Sequence, residues 1–178
     1  MKREVPEVLW NKRLIDGNGD YHWVEEKTAD IFKDRNVVVF SLPGAWTPTC
    51  STKQLPEYEK RAQEFYDLGI DDVYCLSVND SFTMNAWFRF HEIKNILPIA
   101  DGNADFTRLM GLLVEKKNLC FGLRSQRYSM HVTNKVIRQM FVEGPIADNF
   151  TADPFFVSSA GTMLGYLRGD VDESVLSR

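Results

Sequence analysis

Residues 43–50 read Pro-Gly-Ala-Trp-Thr-Pro-Thr-Cys, directly after the apolar run Val37-Val38-Val39-Phe40-Ser41-Leu42. That run is β-branched at its start and short enough to be a fully buried strand. Residues 51–69 follow, with Leu55, Tyr58, Ala62 and Phe65 at helical spacing and Gly69 as a C-cap. Cys50 therefore sits where a strand ends and a helix begins. Unpaired N–H groups and the positive end of the helix dipole favour an anion there, and the anion to expect is a thiolate. A cysteine serving only as a small buried apolar residue needs no such surroundings. Around this one, two prolines and a glycine shape the loop, and Thr47, Thr49, Ser51 and Thr52 supply hydroxyls. The setting points to a reactive thiol.

The rest of the chain narrows the field. Its 178 residues, 44% hydrophobic and 12% aromatic, suit one domain with a sizeable core, assigned to residues 1–170 with a tail at 171–178. A net charge of −4 and scattered basic residues, with Lys12-Arg13 and Lys116-Lys117 as isolated doublets, argue against nucleic acid or an anionic membrane as partner. Three cysteines, at 50, 75 and 120, without a CxxC spacing form neither a disulfide scaffold nor a zinc site. The start, Met-Lys-Arg-Glu-Val-Pro-Glu, has no hydrophobic signal core. A soluble protein of a reducing, cytoplasmic compartment is expected. His22, His91 and His131 show no ligand spacing, and neither a metal nor a bound cofactor is expected. No nucleophile elbow, P-loop or dinucleotide fingerprint occurs.

Along the chain, residues 8–14 and 21–24 flank Asp16-Gly17-Asn18-Gly19 and predict an N-terminal hairpin. Thr28 is expected to cap a short turn, and Pro56 to kink the helix after Cys50. Strands are predicted at 37–42, 73–78 and 96–99, a helix capped by Ser81 between the last two, and a short helix at 105–110. Residues 118–122 read as irregular. Strands at 127–132 and 136–143 around Thr133-Asn134-Lys135, then a helix at 160–167, complete the chain. Strand–helix alternation followed by a hairpin and a helix predicts a thioredoxin-like three-layer α/β sandwich with an N-terminal β-hairpin extension.

With Pro43-x-x-x-Thr47-x-x-Cys50 on a strand–loop–helix and Arg127 at a later strand, the sequence resembles the peroxiredoxins. The type-5 subgroup matches best, including its bacterial form sometimes fused to a glutaredoxin. Leu76-Ser77-Val78-Asn79-Asp80, Asp101-Gly102-Asn103 and Arg124-Ser125-Gln126-Arg127-Tyr128-Ser129-Met130 carry the likeness further, and it covers nearly the whole chain. The resemblance implies a thiol peroxidase acting on hydrogen peroxide and organic hydroperoxides. Cys50 would be the peroxidatic nucleophile and Pro43 its shield. Thr47 would hydrogen-bond the sulfur or the peroxide, and Arg127 would stabilise thiolate and transition state. The N–H groups of Thr49 and Cys50 would add donors. Arg124 would stand behind the site or on the surface, and Leu119 and Phe121 would line the pocket mouth.

The sequence departs from that subgroup at several positions. Trp46 replaces the usual phenylalanine, and Cys120 stands where glycine or another small residue is common. The stretch that holds a resolving cysteine in some members reads Asp153-Pro154-Phe155-Phe156-Val157-Ser158-Ser159, without one. A one-cysteine cycle recycled by glutathione, glutaredoxin or thioredoxin is the implied chemistry, glutathione or glutaredoxin being preferred. Cys120 as resolving thiol is the alternative, and a redox-sensing binding protein is the rival of another class. A homodimer is expected on the active-site side, through Trp46 and an aromatic neighbour such as Phe82.

Overall fold

The alternation of Val37 and Val39 with Val38, Phe40 and Leu42 sends successive apolar side chains to opposite faces of one strand, and both faces are buried. This strand, β3 (Asn36–Leu42), is the centre of the molecule, and the computed structural model describes residues 3–170 around it. The tail assigned to residues 171–178 lies outside the described residues. Before β3 come β1 (Leu9–Ile15), β2 (Tyr21–Lys27) and α1 (Thr28–Phe32). After it run a π-helical turn (Cys50–Gln54), α2 (Leu55–Lys60), α3 (Ala62–Asp67), β4 (Asp72–Ser77), α4 (Ser81–Phe90), β5 (Leu97–Ala100) and α5 (Asp105–Leu109). β6 (Leu113–Lys116), β7 (Gly122–Ser125), β8 (Tyr128–Thr133), β9 (Val136–Val142) and α6 (Ala160–Arg168) follow.

The central sheet has the order β5-β4-β3-β8-β9. β3 is parallel to β4 and antiparallel to β8, in the register Phe40 opposite Cys75 on one side and Ser129 on the other. Val38, Phe40 and Leu42 join Leu55 and Tyr58 of α2, Phe65 of α3, Met84 and Trp87 of α4 and Met163 and Leu164 of α6 in one core. On the other face Val37 and Val39 join Trp10, Ile31, Phe32, Phe106 and Met110. The result is the three-layer α/β sandwich with an N-terminal hairpin that the sequence pattern predicts. Phe40 and Tyr58 stack at 3.9 Å between ring centres, and burying one such ring stabilises the fold by about 1.5–3 kcal/mol.

Several local readings need correction. Thr28 is not a helix cap: its hydroxyl donates to the Pro6 carbonyl and accepts from the Val8 amide, tying down the N-terminal segment. The cap of α4 is Asp80, which accepts from Thr83 N–H at 2.8 Å, while the Ser81 hydroxyl donates to Asn11 O. Residues 118–122 are not an irregular run. They fall within a small hairpin, β6–β7, with a 3₁₀ turn at Lys117–Leu119. The helix after Cys50 is not one bent rod either. Its first turn is π-helical, Pro56 lies in the first turn of α2, and Arg61 (φ −103°, ψ 8°) separates α2 from α3. Pro56 has no N–H for Thr52, so the ladder widens ahead of it and Leu55 N–H donates to the Cys50 carbonyl five residues back.

Candidate active site

The loop between β3 and the π-helical turn is held from below. Asn79 Oδ1 accepts from the Ala45 amide at 3.0 Å and from the Ser77 hydroxyl at 2.6 Å. Arg124 on β7 donates to the carbonyls of Val78 at 3.2 Å and Phe121 at 3.0 Å. A Cβ at position 44 would meet Arg124 Nη1 at 3.1 Å, so glycine lets the loop lie against that guanidinium. Arg124 is thus a support beneath the loop. Burial lowers its pKa, against the pull of Cys50.

Cys50 opens the π-helical turn with its side chain fully buried. Arg127, which directly precedes β8, is 2% exposed, and its Nη1 donates to the Cys50 Sγ at 3.4 Å. The same nitrogen donates to Gln54 Oε1, and Nη2 to Asp153 Oδ1. The Phe155 ring centre lies 5.8 Å from the guanidinium carbon. Burial works against the Arg127 charge, but Cys50 and then Asp153 outweigh it, and the pKa is raised. Arg127 Nε is buried with no partner among the described residues. An unpartnered buried donor is uncommon in a folded protein and calls for a functional explanation.

Thr47 donates its hydroxyl to the Gly44 carbonyl at 2.8 Å, so in this state its proton is committed to the loop and its lone pairs remain to accept. The amides of Thr49 and Cys50 belong to the first helical turn, where N–H groups have no intrahelical acceptor. Pro43, Thr47, Pro48 and Thr49 line a cavity of about 320 Å³ together with Leu119, Phe121 and Phe150. The structure thus brings Arg127 to Cys50, and places Pro43, Thr47, Thr49, Leu119 and Phe121 around one cavity. Another cavity of about 320 Å³ lies between the hairpin and β5; among its lining charges Lys12 pairs with Glu26 and Arg35 with Asp72, while the Arg13 guanidinium lies against the rings of Tyr21, Trp23 and Phe82.

Gln54, Asp153 and Phe155 were not singled out by their sequence positions. Gln54 stands four residues after Cys50 on a helical segment, a spacing that places both on one face and makes it findable. The other cysteines are elsewhere. Cys75 is buried in β4, where burial pushes its thiol up, and Cys120 is exposed in the β6–β7 turn. Trp46 packs on Phe90 at 5.2 Å and not on Phe82, which packs against Trp23 at 5.7 Å. His131 is held by Asn36 Oδ1 at 2.6 Å and lies 3.5 Å from the Tyr166 hydroxyl.

A thioredoxin-like sandwich that buries a cysteine sulfur against an arginine, behind an apolar mouth, is the framework of a thiol-based redox enzyme. The family profile described as Redoxin matches residues 24–154. The chain is 49% identical to a peroxiredoxin of Synechocystis sp., over 93% of this chain and 89% of that one. It is 47% identical to the hybrid peroxiredoxin hyPrx5 of Haemophilus influenzae, over 97% of this chain and 69% of that one. The crystal structure of the Plasmodium falciparum antioxidant protein (1-Cys peroxiredoxin) is similar at a TM-score of 0.90 and 31% identity, covering 95% of this chain and 99% of that one. The chain belongs to the peroxiredoxin family, thiol peroxidases, and is of the type-5 kind.

Proposed function

We propose that Cys50 is the peroxidatic nucleophile of a one-cysteine cycle that draws its reducing equivalents from glutathione, directly or with glutaredoxin. The observation that carries this reading is the Arg127 Nη1 contact to Cys50 Sγ at 3.4 Å in a buried site. The Cys50 thiolate attacks one oxygen of the peroxide as the O–O bond breaks. The sulfur leaves the step as a sulfenic acid, and the departing hydroxide or alkoxide takes up a proton to become water or alcohol. Arg127 holds the thiolate and, through Nε, meets the charge that develops on the oxygens. Thr47 orients the peroxide by accepting its O–H, and Pro43 keeps stray water from the sulfur. The apolar wall of Leu119 and Phe121 suits the alkyl part of an organic hydroperoxide, with Thr49 at the entrance.

Glutathione thiolate then attacks the sulfenic sulfur, water departs, and a mixed disulfide remains. A second thiol, from glutathione or glutaredoxin, takes over the glutathionyl group and frees Cys50. The cycle uses no bound cofactor and fits a reducing, cytoplasmic setting. Similarity to the Plasmodium falciparum antioxidant protein, a 1-Cys peroxiredoxin, supports the one-cysteine form. Steady-state peroxide consumption, run in turn with glutathione, glutaredoxin plus glutathione, and thioredoxin, tests the proposal. Turnover is expected with the first two and is lost in Cys50→Ser with the fold intact. Turnover retained in Cys50→Ser, or obtained with thioredoxin alone, would sink it.

A further inference from the structure

Arg127 is gripped by a segment whose sequence gives no hint of catalysis. Between β9 and α6, Asp153 Oδ1 accepts from Arg127 Nη2, and two residues on, the Phe155 ring lies beside the guanidinium. The segment is itself fixed. Glu143 Oε1, buried at the end of β9, accepts from Phe156 N–H at 2.7 Å, Ser158 N–H at 2.9 Å and the Ser158 hydroxyl at 2.8 Å. Asp153 is the carboxylate that pairs with Arg127, and its side chain is 43% exposed while that of Arg127 is 2% exposed. A cation so buried depends on its partner far more than a surface one does.

We propose that Asp153 is a positioning residue for peroxide reduction: by holding Arg127 Nη2 it aims Nη1 at Cys50, and by its charge it moderates how strongly the arginine favours the thiolate. The inference rests on the assignment of Cys50 and Arg127 above. It separates two effects. Losing the carboxylate frees the guanidinium to turn away from the sulfur. Losing only its charge leaves the grip but removes an anion that offsets the field at Sγ. Other groups act on the same atoms without replacing Asp153. Arg124 acts on Cys50 through its charge, whereas Cys75, its thiol pushed up by burial, stays neutral. Glu143 and Lys116 line the small cavity shared by Arg127 and Asp153. The Glu143 Oε1 is taken by the segment's own donors, and Lys116 Nζ donates to the Phe150 carbonyl at 3.3 Å.

The test measures the pH dependence of Cys50 alkylation by iodoacetamide, read by mass spectrometry in a Cys120→Ser background, beside the rate of hydrogen peroxide reduction. Asp153→Asn is expected to shift the alkylation midpoint down by about half a pH unit or more. Asp153→Ala is expected to slow peroxide reduction by roughly tenfold, and Asp153→Glu to restore part of the loss. An Asp153→Asn midpoint equal to that of the parent overturns the proposal, as does an Asp153→Ala protein that reduces peroxide at the parent rate. If Asp153→Ala does not fold, the asparagine variant decides alone. Alkylation needs no turnover, so a parent protein without peroxidase activity would refute the site assignment and leave this measurement readable.

Discussion

Arg127 meets three partners with two nitrogens: Cys50 and Gln54 through Nη1 and Asp153 through Nη2. A planar guanidinium suits this because its donors are fixed relative to one another, where an ammonium would offer a single mobile point charge. Removing one preorganised donor from a developing anion costs about a hundred- to a thousandfold in rate. Arg127→Ala is therefore expected to slow single-turnover peroxide reduction by roughly that factor. Thr47→Val is expected to slow it less and to leave the pH dependence of Cys50 alkylation near that of the parent. The hydroxyl of Thr47 donates to Gly44 and not to the sulfur, so its loss acts through the loop and the bound peroxide. Stopped-flow measurement with limiting peroxide checks both, and an Arg127→Ala protein reacting at the parent rate would remove that residue from the site. The candidate residues Pro43, Thr47 and Cys50 can be read together in the sequence because they fall within eight consecutive positions. Asp153 cannot, because a carboxylate 26 positions after Arg127 acquires its meaning only when the β9–α6 segment folds back over β8.

The elements show the same division. Strands with strict alternation or continuous apolar runs, such as β3 and β4, were readable because each buries both faces. The hairpin β6–β7 was not, because its strands are four residues each and its turn carries no glycine where one is needed. Cys120 takes the left-handed conformation there at φ +55°, a position that glycine fills at lower cost. β8 supplies a pH-dependent link. Burial lowers the pKa of His131, and the nearby Arg138 lowers it further. A histidine that binds its proton less readily in the fold than in the unfolded chain contributes stability above its ordinary pKa of about 6.5, and loses that contribution as the pH falls. The urea midpoint is expected to drop between pH 7.5 and 5.5, and to drop less in His131→Gln. An equal drop in both proteins would show that His131 is not the group responsible.

At the scale of the whole molecule, the site is closed at the sulfur and apolar at its rim. Trp46 is 49% and Phe90 70% exposed, and they pack on each other beside the active-site loop. Exposed aromatics clustered this way suit a partner surface, and we expect a homodimer there, the pair being Trp46 with Phe90 and not Phe82. Trp46→Ala is expected to shift sedimentation toward monomer, and a parent protein that is monomeric in both redox states would refute the expectation. Resolution of the sulfenic acid is decided by access. Cys75 lies in β4 with β3 and β5 bonded on either side, and burial pushes its thiol away from the reactive anion. Cys120 is exposed while Cys50 is fully buried, and a disulfide needs their Cα atoms within about 7 Å with side chains facing. An external thiol meets the same barrier, since the cavity reaches Pro43 and Thr47 but Cys50 is not part of its lining. A tripeptide thiol is much larger than hydrogen peroxide, so the buried sulfur is expected to be harder to reach for glutathione than for the peroxide. Protein treated with one equivalent of peroxide and then glutathione is expected to carry a glutathione adduct on Cys50 by mass spectrometry, with Cys120→Ser fully active. A Cys50–Cys120 disulfide together with loss of turnover in Cys120→Ser would replace the one-cysteine cycle by a two-cysteine one.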